Sequence, residues 1–132
     1  MRDIAQGVIA DAQGRLLLGF RAKHKLSYPL SWDLFGGHVE KDEEVEKALV
    51  RELSEELGIV VTRFRPLVVL EEPNPVINGQ KRYHTFLIEE WKGDPANVCD
   101  EHINIEWFTY QNALELENLT NPARKAIVAW KS

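Results

Sequence analysis

The chain has 132 residues, 44% hydrophobic and 28% charged, with eight Gly and six Pro, a balance that suits one globular domain over residues 1–132 and excludes a disordered, collagen-like or coiled-coil chain. Sixteen Lys and Arg against 21 Asp and Glu leave a net charge of −5, so no global basic field awaits a nucleic-acid polymer or an anionic membrane. The single cysteine, Cys99, excludes an internal disulfide and a Cys-cluster metal site, and neither a membrane span nor a secretory signal is visible; a cytoplasmic protein is expected.

In chain order, residues 4–10 and 15–20 are apolar runs parted by Asp11-Ala12-Gln13-Gly14, which predicts a hairpin. Residues 21–31 mix charge with Pro29 and show no period, as a loop does. Residues 32–35 read as a short aromatic strand ending at Gly36-Gly37. From 43 to 57 neither Gly nor Pro interrupts good helix formers. Asp42 is the expected N-cap, Glu43 and Glu44 suit the first turn, and Gly58 is the expected stop.

A strand follows over 64–71, then a loop over 72–80 with Pro73 and Pro75. Residues 81–91 alternate, with Tyr83, Thr85 and Leu87 on one face and His84, Phe86 and Ile88 on the other. After a loop over 92–102 come a last strand, 103–108, and a short helix, 110–117. Asn121-Pro122 reads as an N-cap with proline at the first helical position, opening a helix to about residue 130. Strands on both sides of a strong helix predict an α/β fold, a mixed sheet covered by helices.

Within the 43–57 helix, Glu52, Glu55 and Glu56 stand at i, i+3 and i+4, a spacing expected to bring all three to one side. Leu49, Val50, Leu53 and Leu57 form an apolar stripe beside them, so the acidic cluster borders the buried face. Like charges there each cost about 0.2–0.5 kcal/mol, and more when partly desolvated. Arg51 can neutralise one carboxylate, so a hard divalent cation is the natural partner. Glutamate oxygens without His or Cys suit Mg²⁺, Mn²⁺ or Ca²⁺ better than Zn²⁺; the alternative is a glutamate-rich solvated face.

From Gly37 the chain gives five residues, Glu43, seven residues, Arg51-Glu52-Leu53, one residue, Glu55-Glu56, one residue and Gly58-Ile59. All nine fixed positions resemble the Nudix box over 23 residues. The resemblance implies an α/β/α sandwich with a loop-helix-loop at the catalytic centre. It also implies Mg²⁺-dependent hydrolysis (Mn²⁺ being an alternative) of a nucleoside diphosphate linked to another group, a small-molecule nucleotide substrate. Bound cations would turn an acidic site into a phosphate trap and lower the pKa of an attacking water.

By the same resemblance Glu52 and Glu56 are metal ligands, and Glu55 is a third ligand or a helper in water activation, the general base staying open. The Gly37 carbonyl is a further candidate ligand. Arg51 and Glu43 would hold the loop to the helix. Glu101, six residues before Trp107, is the candidate additional carboxylate, with Asp100 and Glu106 competing.

The segments 16–22 and 32–40 resemble MutT-type nucleoside triphosphate pyrophosphohydrolases, which implies oxidised or otherwise noncanonical nucleotides as substrates. On that likeness Arg21 is a phosphate contact, and Asn121 is a base reader or a plain helix cap. Trp32, Phe35, Tyr83 and Phe86 are stacking or core aromatics. Pro75 falls about 16 residues beyond the box, as a proline does in some ADP-ribose pyrophosphatases, which keeps a nucleotide-sugar substrate as the alternative. A non-catalytic nucleotide-binding module is the alternative of another class, against which the intact box argues. His38 and His102 flank the acidic segments, and His84 is a structural or catalytic strand histidine. The basic loop around His24 and Cys99 read as solvated and inert. Composition leaves the oligomeric state open.

Overall fold

The computed structural model describes residues 2–73 and 80–131; Pro75 lies outside them. The elements run β1 (Arg2–Ile9), β2 (Leu16–Arg21), β3 (Trp32–Asp33), β4 (Phe35–His38), α1 (Val45–Leu57), β5 (Val60–Pro73), β6 (Gln80–Lys92), β7 (His102–Phe108), α2 (Tyr110–Leu114) and α3 (Asn121–Lys131). A mixed sheet has the order β4-β1-β6-β5, with β1 and β6 parallel and its other pairs antiparallel. A second, antiparallel sheet has the order β3-β2-β7. None of the described helices is long and apolar enough to cross a membrane.

The expected sandwich is present. Ala48, Leu49, Leu53 and Leu57 of α1 join Ala5, Ile9, Phe35, Phe86 and Ile88 in one core. Ala123, Ala126 and Ile127 of α3 join Val8, Leu16, Leu18 and Leu87 in another. Alternating residues of β6 therefore enter different cores, and this central strand is covered on both faces. Leu49, Leu53 and Leu57 are fully buried, each contributing about 1.5–3 kcal/mol by area.

Several boundaries differ from expectation. The first two strands are not a regular hairpin: they enter different sheets and share only the Ala10–Leu16 bridge. Residues 32–35 are not one strand either, because the chain changes sheets at Leu34. Helix α1 starts at Val45 after Glu44, whereas Asp42 sits at φ +63° in the preceding loop. Gly58 ends α1 as expected, at φ +69° with its N–H on the Ser54 carbonyl.

Strand β5 begins at once after the helix, since Ile59 and Val61 enter the core. It runs on through Pro73 as a sheet edge, where Pro66 falls at a register irregularity. Helix α3 is capped by Thr120, whose Oγ1 accepts the Ala123 N–H at 3.2 Å. Asn121 is already inside that helix.

Candidate active site

Three carboxylates meet where α1 faces β4 and the start of β7. One oxygen from each of Glu52, Glu56 and Glu101 lies within 4.8 Å of the others. Glu56 is only 3% exposed, and its Oε1 accepts the Gly36 N–H at 3.0 Å. Glu52 is pressed against Gly37, where a Cβ would stand within 2.5 Å of both Glu52 oxygens. Glu101 precedes β7 and accepts a bond from the Lys25 ammonium.

Glu55 stands apart, and the expectation that the three helix glutamates share one side needs correction. Successive α-helical residues turn about 100°, so Glu56 and Glu55 fall on opposite flanks of Glu52. Glu56 goes inward, while Glu55 is exposed with its carboxylate 3.4 Å from the Arg51 guanidinium. Glu101 completes the trio in its place. Asp100 and Glu106 are exposed and outside it.

Burial, then the charges of Glu101 and Glu52, pushes the Glu56 carboxyl well above the usual carboxylate range. Glu52 is also raised by burial. For Glu101 burial alone would do the same, but the Lys25 ammonium outweighs it and holds the carboxyl below its ordinary value. Glu56 and Glu101 bring carboxyl oxygens within 4.8 Å of each other, and two carboxylates that close oppose each other's ionisation. Three carboxylates crowded round one point, the innermost of them buried, fit a hard divalent cation.

Arg51 ties the loop to this helix. Its Nε and Nη2 donate to the two Glu43 oxygens at 2.8 and 3.0 Å. Its Nη1 reaches Glu52 Oε1 at 3.0 Å, and Nη2 reaches the His38 carbonyl at 3.1 Å. That pairing, with the Glu40 N–H, holds the Glu43 carboxyl down to about 2. Arg51 therefore positions Glu52 and does not enter the trio.

A cleft opens from Gly36, Gly37, Glu56 and Glu101 across Ile4 and Gln6 toward Ser27, Tyr28, Asp33, Lys81 and Tyr83. A profile described as NUDIX domain matches residues 1–130.

The chain belongs to the Nudix family.

Among curated Nudix relatives, an 8-oxo-dGTP diphosphatase of Proteus vulgaris is 35% identical over 69% of this chain and 79% of its own length. A CTP pyrophosphohydrolase of Escherichia coli is 46% identical over 81% of this chain and 76% of its own. A crystal structure of a MutT Nudix hydrolase from Burkholderia pseudomallei superposes with a TM-score of 0.87 at 29% identity, covering 97% of this chain and 96% of that one. The chain is thus a Nudix pyrophosphohydrolase with a MutT-like fold.

The other expected residues of this Nudix site scatter. Arg21 lines the cleft, with Nε on the Ser27 carbonyl at 2.9 Å and Nη1 3.4 Å from Asp33. Tyr83 lines it too, its hydroxyl donating to Glu72 at 3.0 Å. Asn121 borders the adjoining recess formed with Leu26, Ser27, Tyr28, Glu72 and Pro73. Phe35 is a correction: it is fully buried and packs on the His102 ring at 4.9 Å, away from the cleft surface. Trp32 packs between Phe20 and Phe108, and Phe86 edge-on to Phe64. His38 lines the cleft, whereas His84 pairs with Asp3 at 2.8 Å on the other face of β6. Cys99 is half-buried, and that burial raises its thiol.

Sequence reasoning missed Gln6, Tyr28, Asp33, Glu72 and Lys81. The signal for Lys81 was present, since it falls in phase with Tyr83 and Thr85 on the alternating strand. Asp33 is held by Thr120 Oγ1 and the Leu34 N–H, at 2.8 and 2.9 Å, a pairing across 87 residues that no local pattern announces.

His102 supplies a pH test of this packing. Burial, with the Arg21 cation, pulls its imidazole from 6.5 down to about 4. The unfolded chain therefore takes up the proton first as pH falls. The stability due to neutral His102 is complete above about 6.5 and is lost toward pH 4, about 3 kcal/mol in all. Urea unfolding should show wild type losing about that much more than His102→Gln between pH 7 and pH 4.

Proposed function

We propose that this enzyme hydrolyses a nucleoside triphosphate to its monophosphate and diphosphate, with Mg²⁺ held by Glu52, Glu56 and Glu101 and Mn²⁺ able to replace it. Oxidised or otherwise noncanonical nucleotides are its targets. The observation that carries this reading is the carboxylate trio at one end of a cleft whose other end offers hydrogen-bonding groups and aromatic rings. The 8-oxo-dGTP and CTP named for the two relatives support a triphosphate substrate, and the intact box supports catalysis over passive binding. A small-molecule substrate also suits a cytoplasmic, single-domain protein of net charge −5.

When bound, the cation supplies Lewis-acid polarisation and a lower pKa for an attacking water. The chain's own residues arrange the rest. The Gly36 N–H fixes Glu56, Arg51 fixes Glu52, and Arg21 and Lys25 bring positive charge to the cleft. Glu55 stays on the solvent side, where its role is to tune Arg51.

The test is product analysis over a panel, with and without Mg²⁺: ordinary and 8-oxo nucleoside triphosphates, nucleotide sugars and ADP-ribose. Metal-dependent diphosphate release from a triphosphate is expected. Turnover of ADP-ribose alone, giving two monophosphate products, would replace this reading with the nucleotide-sugar one.

A further inference from the structure

The end of the cleft far from the carboxylate trio is built from paired donors and acceptors. Lys81 is 5% exposed although it carries an ammonium. Its Nζ donates to Ser27 Oγ at 2.6 Å; an ammonium has three hydrogens to give and no lone pair. Its cross-strand partner on β5 is Glu72. The two Glu72 oxygens accept the phenol hydrogens of Tyr28 and Tyr83, each at 3.0 Å. A carboxylate has about four acceptor positions, so Glu72 keeps acceptor capacity beside the Lys81 donor.

The position decides what this pair meets. Gly36, Gln6 and Thr85 are register partners across β4, β1 and β6. Lys81 is four residues from Thr85, about 13 Å along the strand. Phosphates belong at the trio, where cations gather. The far end carries the Asp33 carboxylate, with Glu72 in the recess that adjoins it; both repel phosphate, and the two tyrosines suit a flat, neutral, hydrogen-bonding group.

We propose that Lys81 and Glu72 read the edge of the nucleobase, Lys81 donating to a ring carbonyl and Glu72 accepting from a neighbouring N–H. Guanine- and uracil-type bases carry a ring carbonyl directly beside a ring N–H, whereas adenine and cytosine would set an amino group against the ammonium and an unprotonated ring nitrogen against the carboxylate, so the enzyme prefers the first two. This rests on the nucleoside triphosphate reading above.

The test uses calorimetric binding of GMP, CMP, UMP and AMP in EDTA, so that no metal or turnover is needed, and then kcat and KM on the four triphosphates. Wild type is expected to bind GMP or UMP about tenfold or more tighter than AMP and CMP. Lys81→Met should weaken GMP and UMP binding about 10–100-fold, leave AMP and CMP within about twofold, and act through KM with kcat retained. Removing a buried charge for an apolar stem is compatible with folding. If the Met variant loses its melting transition, Lys81→Gln makes the same comparison with a polar head. Equal wild-type affinity for all four, preference for AMP or CMP, or an equal loss on all four in the variant would overturn the proposal. If wild type hydrolyses no triphosphate, the proposed function fails instead, and the binding ratios still judge Lys81.

Discussion

Replacing Glu56 by Gln should lower turnover at saturating Mg²⁺ by at least about a hundredfold while leaving the protein folded and as heat-stable as before or more so. The two effects have separate causes. Gln keeps an oxygen for the Gly36 N–H, 3.0 Å away, and its amide carries no charge to oppose Glu101, so the local hydrogen bond survives. What it removes is a carboxylate that burial and two neighbouring charges hold well above the usual range. Ionised, such a group opposes folding, and deleting it relieves the fold. The same deletion takes one of three oxygens from the trio, and even groups that only support a metal ligand cost about 10–100-fold when lost. Glu55→Gln, at an exposed position beside Arg51, should cost tenfold or less. Steady-state kinetics with thermal melts on both variants checks this. Equal loss from the two would disprove the division between inner and outer glutamates.

Alanine at the two adjacent glycines should produce opposite failures. Gly36 has φ +154°, and a Cβ there would run into the Ala5 carbonyl oxygen and within 2.7 Å of the Gln6 Cα. Both obstacles are backbone of the paired strand β1 and cannot turn aside. Gly36→Ala should therefore cost about 3–5 kcal/mol and more than about 10 °C in melting temperature. At Gly37 the obstacle is the Glu52 carboxylate, the far end of a flexible side chain. Gly37→Ala should melt within a few degrees of wild type but lose about a hundredfold in activity, the usual cost of moving a catalytic group by about 1 Å. Melting curves and kcat on the two variants decide the matter.

These pairs show where sequence was sufficient. The 43–57 run, its stop at Gly58 and the spacing of Arg51, Glu52 and Glu56 were legible because helix periodicity and a 23-residue motif are local. The alternation of 83–88 was legible for the same reason and put Tyr83 on the cleft face. What stayed hidden was set by distant partners. The strand at 32–35 divides because Trp32 pairs with Phe20 while Phe35 pairs with Gly7. Thr120 takes the cap from Asn121 because its hydroxyl also reaches Asp33. Phe35 looked like a stacking ring until its neighbours were known.

The change of sheets at Leu34 makes the chain its own ruler. Asp33 lines the end of the cleft where a base would lie, and Gly36 holds Glu56 at the hydrolytic end. Only Leu34 and Phe35 separate them, both buried, so a fixed covalent length spaces recognition from hydrolysis. A residue inserted between 33 and 36 would turn one set of side chains to the wrong face. An insertion in the exposed 12–13 turn would add only loop entropy. Length variation in this molecule is therefore tolerable at its turns and forbidden at this corner.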